Sequence, residues 1–273
     1  MANSPVDLDK KQVFKDLFLR GNKYELNDDY VINDGKKHPV AILVPGGGYQ
    51  MVCSFIEGVP IAKRLNELGV SAFIVYYRVR KKGRYPIPQN DLALAIKTII
   101  DNADKYHIDM DNYSIWGASA GGHLAASFGS NNMGYAKYNL PKPACLVLAY
   151  PVISMDPKYT HMGSHDNLLG KDASKQLEEE TSVEKHVDKN YPKTFIWCFD
   201  HDNNVNSKNT LMMKKALEDN NIAHECLIYS GDLHGIGPGS DTEAAGWIDK
   251  AYELWRKTIW KNNYLMTTGN FIV

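Results

Sequence analysis

The sequence predicts an α/β fold: a mostly parallel central sheet flanked by helices. Two observations carry that prediction. Short apolar runs recur at 40–44, 70–77, 113–116, 144–150 and 194–199, as expected of strands buried in a sheet, and 224–229 reads as a last strand. Between them lie stretches with apolar residues at helical spacing, and strands alternating with helices make a parallel sheet with crossover connections. At 273 residues, with 44% hydrophobic and 23% charged residues, the chain can bury a full core and is read as a single domain over 1–273.

Residues 1–38 are polar and turn-rich, a covering segment in which the alternation near 24–32 suggests an edge strand. The strand at 40–44 breaks into Pro45-Gly46-Gly47-Gly48-Tyr49. Three glycines together cost backbone entropy, so they imply that another group must come close to the main chain there. A helix follows at 57–68, with Val59, Ala62 and Leu65 inward and Gly69 closing it. After the strand at 70–77, Pro86-Ile87-Pro88 reads as a loop, and 91–103 as a helix packed through Leu92, Ala95, Ile96 and Ile99.

The run 113–116 ends in Gly117-Ala118-Ser119-Ala120-Gly121-Gly122, and helix formers continue from His123 to Phe128. Gly117-x-Ser119-x-Gly121 between a strand and a helix fits a nucleophile elbow, in which a strained turn lifts the serine hydroxyl above the sheet. Ser119 is the candidate nucleophile. Backbone N–H groups of Gly47 or Gly48 and of Ala120 would then face the oxyanion of an acyl-transfer intermediate. A plain tight turn beneath a packed helix is the bland alternative. The dinucleotide and phosphate-loop patterns are both missing.

From 151 to 192 the alternation lapses into a loop-rich insertion near the expected site. His161 and His165 lie four apart, but Gly163, Ser164 and Asn167 argue against a helix that would aim both at one metal, and no metal is expected. The stretch 171–185, with Glu178 to Glu180, reads as a solvated helix face. The strand at 194–199 ends in Asp200-His201-Asp202, where two carboxylates compete to orient a histidine. A helix at 206–219 and a strand at 224–229 lead into a glycine-rich loop, 231–237, that carries His234. With a pKa near 6.5, a histidine there can take the serine proton, completing the order Ser, Asp, His. His123, one turn beyond Ser119, is read as packing behind the elbow. A closing helix at 242–260 packs through Trp247, Ile248, Tyr252 and Trp255.

Composition excludes several classes. The net charge of −1 leaves no footprint for nucleic acid or anionic lipid, so small neutral substrates are expected. No apolar run is long enough to span a membrane and Met1 to Arg20 lacks a signal-peptide core, so a cytoplasmic protein is expected. Cys53, Cys145, Cys198 and Cys226 are scattered without a C-x-x-C pair, as buried, reduced thiols would be.

In these motifs the chain resembles the α/β-hydrolase superfamily, in the acetyl esterase and xylan esterase branch related to carboxylesterases of the hormone-sensitive-lipase type. The resemblance runs from about Val40 to Gly239 through Pro45 to Tyr49, Glu57-Gly58, Tyr77-Arg78-Val79, Pro86 to Asp91, Gly117 to Leu124, Tyr150 to Ile153, Gly163-Ser164, Asn167 to Gly170, Asp202-x-x-Val205 and His234-Gly235. It implies an α/β-hydrolase fold without a large lid domain. It implies Ser119 as nucleophile, Asp202 rather than Asp200 as the acid, His234 as base, and Gly47, Gly48 and Ala120 as oxyanion donors.

The expected activity is hydrolysis of short acyl esters, acetyl above all, of small alcohols or acetylated xylo-oligosaccharides through an acyl-enzyme, with no cofactor. Feruloyl esterase or small-peptide hydrolase chemistry, and a non-catalytic binding protein on this fold, are the alternatives. Tyr49, beside the glycines, is expected to crowd the acyl chain. His161 and His165, in the polar segment 156–170, are expected to contact the alcohol part of a small-molecule ester. Two positions depart from the family pattern: His165, where arginine is usual, and Asn206, where proline is usual. The tail 261–273 is longer than usual and is a candidate contact for a homo-oligomer.

Overall fold

The structure, a computed structural model, describes residues 24–267. Seven strands form one sheet in the order β1-β3-β2-β4-β5-β6-β7. They are β1 Glu25–Tyr30, β2 His38–Val44, β3 Ser71–Tyr76, β4 Ile108–Ala118, β5 Cys145–Ala149, β6 Lys193–Phe199 and β7 His224–Tyr229. Only β1 runs antiparallel, pairing with β3 as the expected edge strand. Residues 1–23 of the expected covering segment and 268–273 of the expected tail lie outside the described residues.

The helices are α1 Ser54–Glu57, α2 Val59–Glu67, α3 Ile87–Asp101, α4 Ser119–Phe128, α5 Met162–Leu168, α6 Lys175–Thr181, α7 Lys208–Asp219 and α8 Trp247–Thr267. Three sequence expectations are corrected. The helix expected from 91 starts at Ile87, because Pro88 falls in its first turn, where its missing N–H has no intrahelical partner to lose. The 161–168 stretch is helical despite Gly163: His161 caps it by accepting from the Ser164 N–H, and the glycine sits in the first turn, outside the helix interior. The closing helix starts at Trp247 rather than 242, since Gly246 takes φ +81° and breaks any earlier helical course.

Parallel pairing brings the carboxyl ends of the central strands to one edge. Val44 of β2 pairs with Gly117 of β4, Ala118 with Ala149 of β5, and Phe199 of β6 with Tyr229 of β7. The loops after β2, β4, β6 and β7 therefore emerge together, which is where parallel α/β sheets bind ligands. α8 braces that edge from below. Its Trp247 ring lies 5.4 Å from Trp197 and 6.0 Å from Trp116, and Trp247 Nε1–H donates to the Gly237 carbonyl at 3.0 Å.

Candidate active site

The turn from β4 into α4 has the strain its glycines predict. Ser119 takes φ +52° and is 7% exposed. A Cβ on Gly121 would overlap the Val44 and Pro45 carbonyls, and one on Gly117 would lie 2.6 Å from the Ala125 side chain, so neither position tolerates a side chain. A non-glycine residue in the left-handed region costs on the order of 1–3 kcal/mol, which packing around the turn must offset.

His234 reaches back over the end of β5 to this serine. Its Nε2 lies 2.8 Å from Ser119 Oγ and its Nδ1 lies 2.7 Å from Asp202 Oδ2. The carboxylate can only accept, so Nδ1 carries the proton, and Nε2 is the nitrogen free to accept from the serine hydroxyl. Asp202 is held on its other oxygen by the N–H groups of Asn204 and Val205, both at 2.9 Å. The Asp200 carboxylate instead accepts from Gly231 N–H and pairs with the exposed His201, facing away from His234. Geometry therefore separates the two acids that residue order alone left open.

The three loop glycines have different reasons. A Cβ on Gly46 would stand 2.8 Å from both Ser119 Cβ and Glu57 Oε2, so Gly46 marks the close approach the sequence implied. Gly47 and Gly48 take φ +122° and +64°. Ala120 is the second residue of α4, where a helix N–H has no intrahelical partner. The loop and this helix start thus flank the serine hydroxyl, as an oxyanion pocket requires.

Glu57 is the residue that sequence reasoning missed. It is 4% exposed and lies directly behind the loop: Gly46 N–H donates to Oε2 at 2.7 Å, and the Tyr150 hydroxyl donates to Oε1 at 3.0 Å. Gly237 N–H in turn donates to the Tyr150 oxygen at 3.1 Å, and the Tyr150 ring lies 4.8 Å from the His234 ring. Burial raises the Glu57 pKa, while those hydrogen bonds and the nearby His234 oppose the rise. One buried acid therefore links the loop after β2 to the loop bearing His234. The only signal in the sequence was Glu57-Gly58 within the family pattern; nothing local marks a helical glutamate as buried.

The expected substrate contacts fare differently. His161 is half-buried and lies across from Gly48, where a Cβ would be 3.7 Å from its Cε1. Burial, and then His234, lower its pKa. It therefore borders the site. Tyr49 does not: it is fully buried, and its hydroxyl donates to His123 Nδ1 at 2.8 Å, because His123 Nε2–H is committed to the Thr181 carbonyl at 2.8 Å. A residue so enclosed cannot crowd an acyl chain in this arrangement. His165 is also buried, 2% exposed, with Nδ1 3.0 Å from Asp166 and Nε2 3.1 Å from Glu178. Nδ1 is spent within α5 on Asp166 and Nε2 joins α5 to α6 through Glu178, so the ring neither lines the opening nor offers a metal ligand. Among the described residues, no group of three or more His, Cys, Asp or Glu side chains is placed to hold a metal. Among them also, no helix is long and apolar enough to cross a membrane.

Comparison with known proteins agrees with this architecture. The BD-FAE family model matches residues 29–217. The chain is 32% identical to endo-1,4-beta-xylanase B of Butyrivibrio fibrisolvens, over 82% of this chain and 36% of that protein. It is 31% identical to an acetylxylan esterase of Xylanibacter ruminicola, over 80% of this chain and 47% of that protein. The chain thus spans less than half the length of either curated relative. The solved structure of an acetyl ester-xyloside bifunctional hydrolase from Caldicellulosiruptor lactoaceticus superimposes with a TM-score of 0.73 at 30% identity, covering 86% of both chains. With a family match over more than half its length and the sheet order and crossovers described above, the chain belongs to the BD-FAE family and has the α/β-hydrolase fold.

Proposed function

We propose that this chain is a serine carboxylesterase that removes short acyl groups, acetyl in particular, from acetylated sugars such as xylo-oligosaccharides. The observation that carries the reading is the hydrogen-bonded series Ser119 Oγ, His234 and Asp202, at 2.8 and 2.7 Å. In it, Ser119 attacks the ester carbonyl while His234 Nε2 takes its proton, and Asp202 stabilises the resulting imidazolium. Gly47, Gly48 and Ala120 N–H groups receive the oxyanion. The same imidazolium protonates the leaving alcohol, and water then releases the acid by the reverse sequence. The names of the acetylxylan esterase relative and the acetyl ester-xyloside hydrolase support the acetyl and sugar parts of the proposal.

A fluorophosphonate probe should label the protein at Ser119, and Ser119→Ala should abolish labelling. The same variant should lose turnover of 4-nitrophenyl acetate by up to about 10⁶-fold while staying folded. A folded variant keeping a tenth of the activity would reject the assignment.

One observation favours a second reading, in which the acyl group is aromatic, as in a feruloyl ester. Phe55 and Ile56, on the short helix that carries Glu57, Met162 beside His161, and Leu233 beside His234 are 54%, 49%, 44% and 44% exposed. Such side chains could cover an aromatic ring. Relative rates on feruloyl and acetyl esters decide between the two.

A further inference from the structure

A second concave surface adjoins the proposed site and has a different chemistry. A cavity of about 680 Å³ is lined by Arg80, Lys81, Lys82, Arg84 and Lys171, with Asp166 as the one carboxylate among its lining residues. All five cations are exposed. Among the described residues none of them forms an ion pair, whereas the neighbouring Arg78 is spent on the buried Asp91 at 2.6 Å. Asp166 is itself engaged by His165. Whole-chain near-neutrality therefore hides a locally positive pocket that the net charge does not reveal.

This pocket is built onto the outer face of the glycine loop. Arg80 takes φ +59°, held there as its N–H donates to the Tyr49 carbonyl at 2.8 Å and its Nε–H to the Gln50 carbonyl at 2.7 Å. On the opposite wall, Asn167 Nδ2–H donates to the Gly48 carbonyl at 2.9 Å. Tyr85 N–H joins the two walls through the Leu168 carbonyl at 3.0 Å. Gly170, at φ +103°, takes a backbone conformation that favours glycine, and the Arg84 guanidinium lies against it. Exposed cations without counter-ions repel one another, an arrangement that an anionic ligand relieves. Gln50, Asp166 and Asn167 add hydrogen-bonding groups suited to hydroxyls.

We propose that the Arg80–Lys82, Arg84 and Lys171 pocket binds a carboxylate-bearing sugar unit of the substrate, beside the unit whose ester faces Ser119, so that acidic, uronic-acid-substituted oligosaccharides are preferred over neutral ones. The proposal rests on the esterase reading for its placement, and its test does not. Full-length Ser119→Ala protein, which cannot turn substrate over, is titrated calorimetrically with a xylo-oligosaccharide carrying one glucuronosyl branch and with the unbranched oligosaccharide of equal length. A few exposed cation–carboxylate contacts predict about tenfold tighter binding of the acidic ligand. Surface charges are screened by salt, so the preference should fall towards unity in about 0.5 M NaCl. It should also fall when Lys81→Ala, Lys82→Ala and Lys171→Ala are combined. Equal affinities at low salt, or a preference that survives both salt and the triple substitution, overturns the proposal. Wild-type hydrolysis of 4-nitrophenyl acetate, measured separately, reports on the esterase reading alone.

Discussion

Asp202 and Asp200 are two residues apart, yet only one has a carboxylate oxygen on the His234 ring, because the turn after β6 sends Asp202 inward and Asp200 towards Gly231. Asp202→Asn should lower kcat by up to about four powers of ten, since the amide favours the wrong histidine tautomer. Asp200→Asn should stay near wild type in the same assay, and the reverse ranking would refute the assignment. Glu57 yields a subtler expectation. With Glu57→Ala, Gly46 N–H and the Tyr150 hydroxyl lose their shared acceptor, and the glycine loop proposed to receive the oxyanion loses its backing. kcat should fall about 10²-fold, comparable to loss of one oxyanion donor, with a smaller change in KM. Glu57→Gln, which keeps the shape and one acceptor, should recover much of that loss.

At the scale of elements, α4 is anchored through His123, whose two nitrogens connect Tyr49 in the glycine loop to Thr181 at the end of α6. Burial pushes the His123 pKa down to about 4, with the hydrogen bond to the Thr181 carbonyl acting in the opposite sense. The unfolded histidine titrates near 6.5, so between about 6.5 and 4 the unfolded chain binds more protons than the folded one. Stability from this residue is therefore full above pH 6.5 and is lost as pH falls towards 4, by on the order of 3 kcal/mol. Denaturant unfolding at pH 7 and pH 4.5 should show that decline, and His123→Gln should show less of it. An identical pH dependence in both proteins would rule His123 out as its source.

Across the whole molecule, the insertion 151–192 contributes two seven-residue helices and one 3₁₀ turn. Short acyl chains are therefore expected to react best. In an open apolar groove each methylene would add about 0.8 kcal/mol, roughly a fourfold gain in kcat/KM per carbon. A nitrophenyl ester series should instead decline from acetate and propionate to octanoate. A steady climb would point to a lipase-like pocket. Tyr49 lends this expectation no support, since its ring lies in the core.

Six strands, their order along the chain and the elbow at Ser119 were legible from the sequence because they depend on local signals. Buried strands require continuous apolar runs, and the reversal between β4 and α4 requires glycine whatever the rest of the chain does. His234 and the two candidate acids were legible as residues in loops after strands. Which acid faces the imidazole, that Glu57 turns inward, that His165 and Tyr49 are enclosed, and that Lys171 joins the basic run 80–84 beside the glycine loop were decided only by tertiary structure. Each depends on the packing of segments as much as 119 residues apart, as between Gly48 and Asn167, and neither spacing nor composition encodes such a meeting.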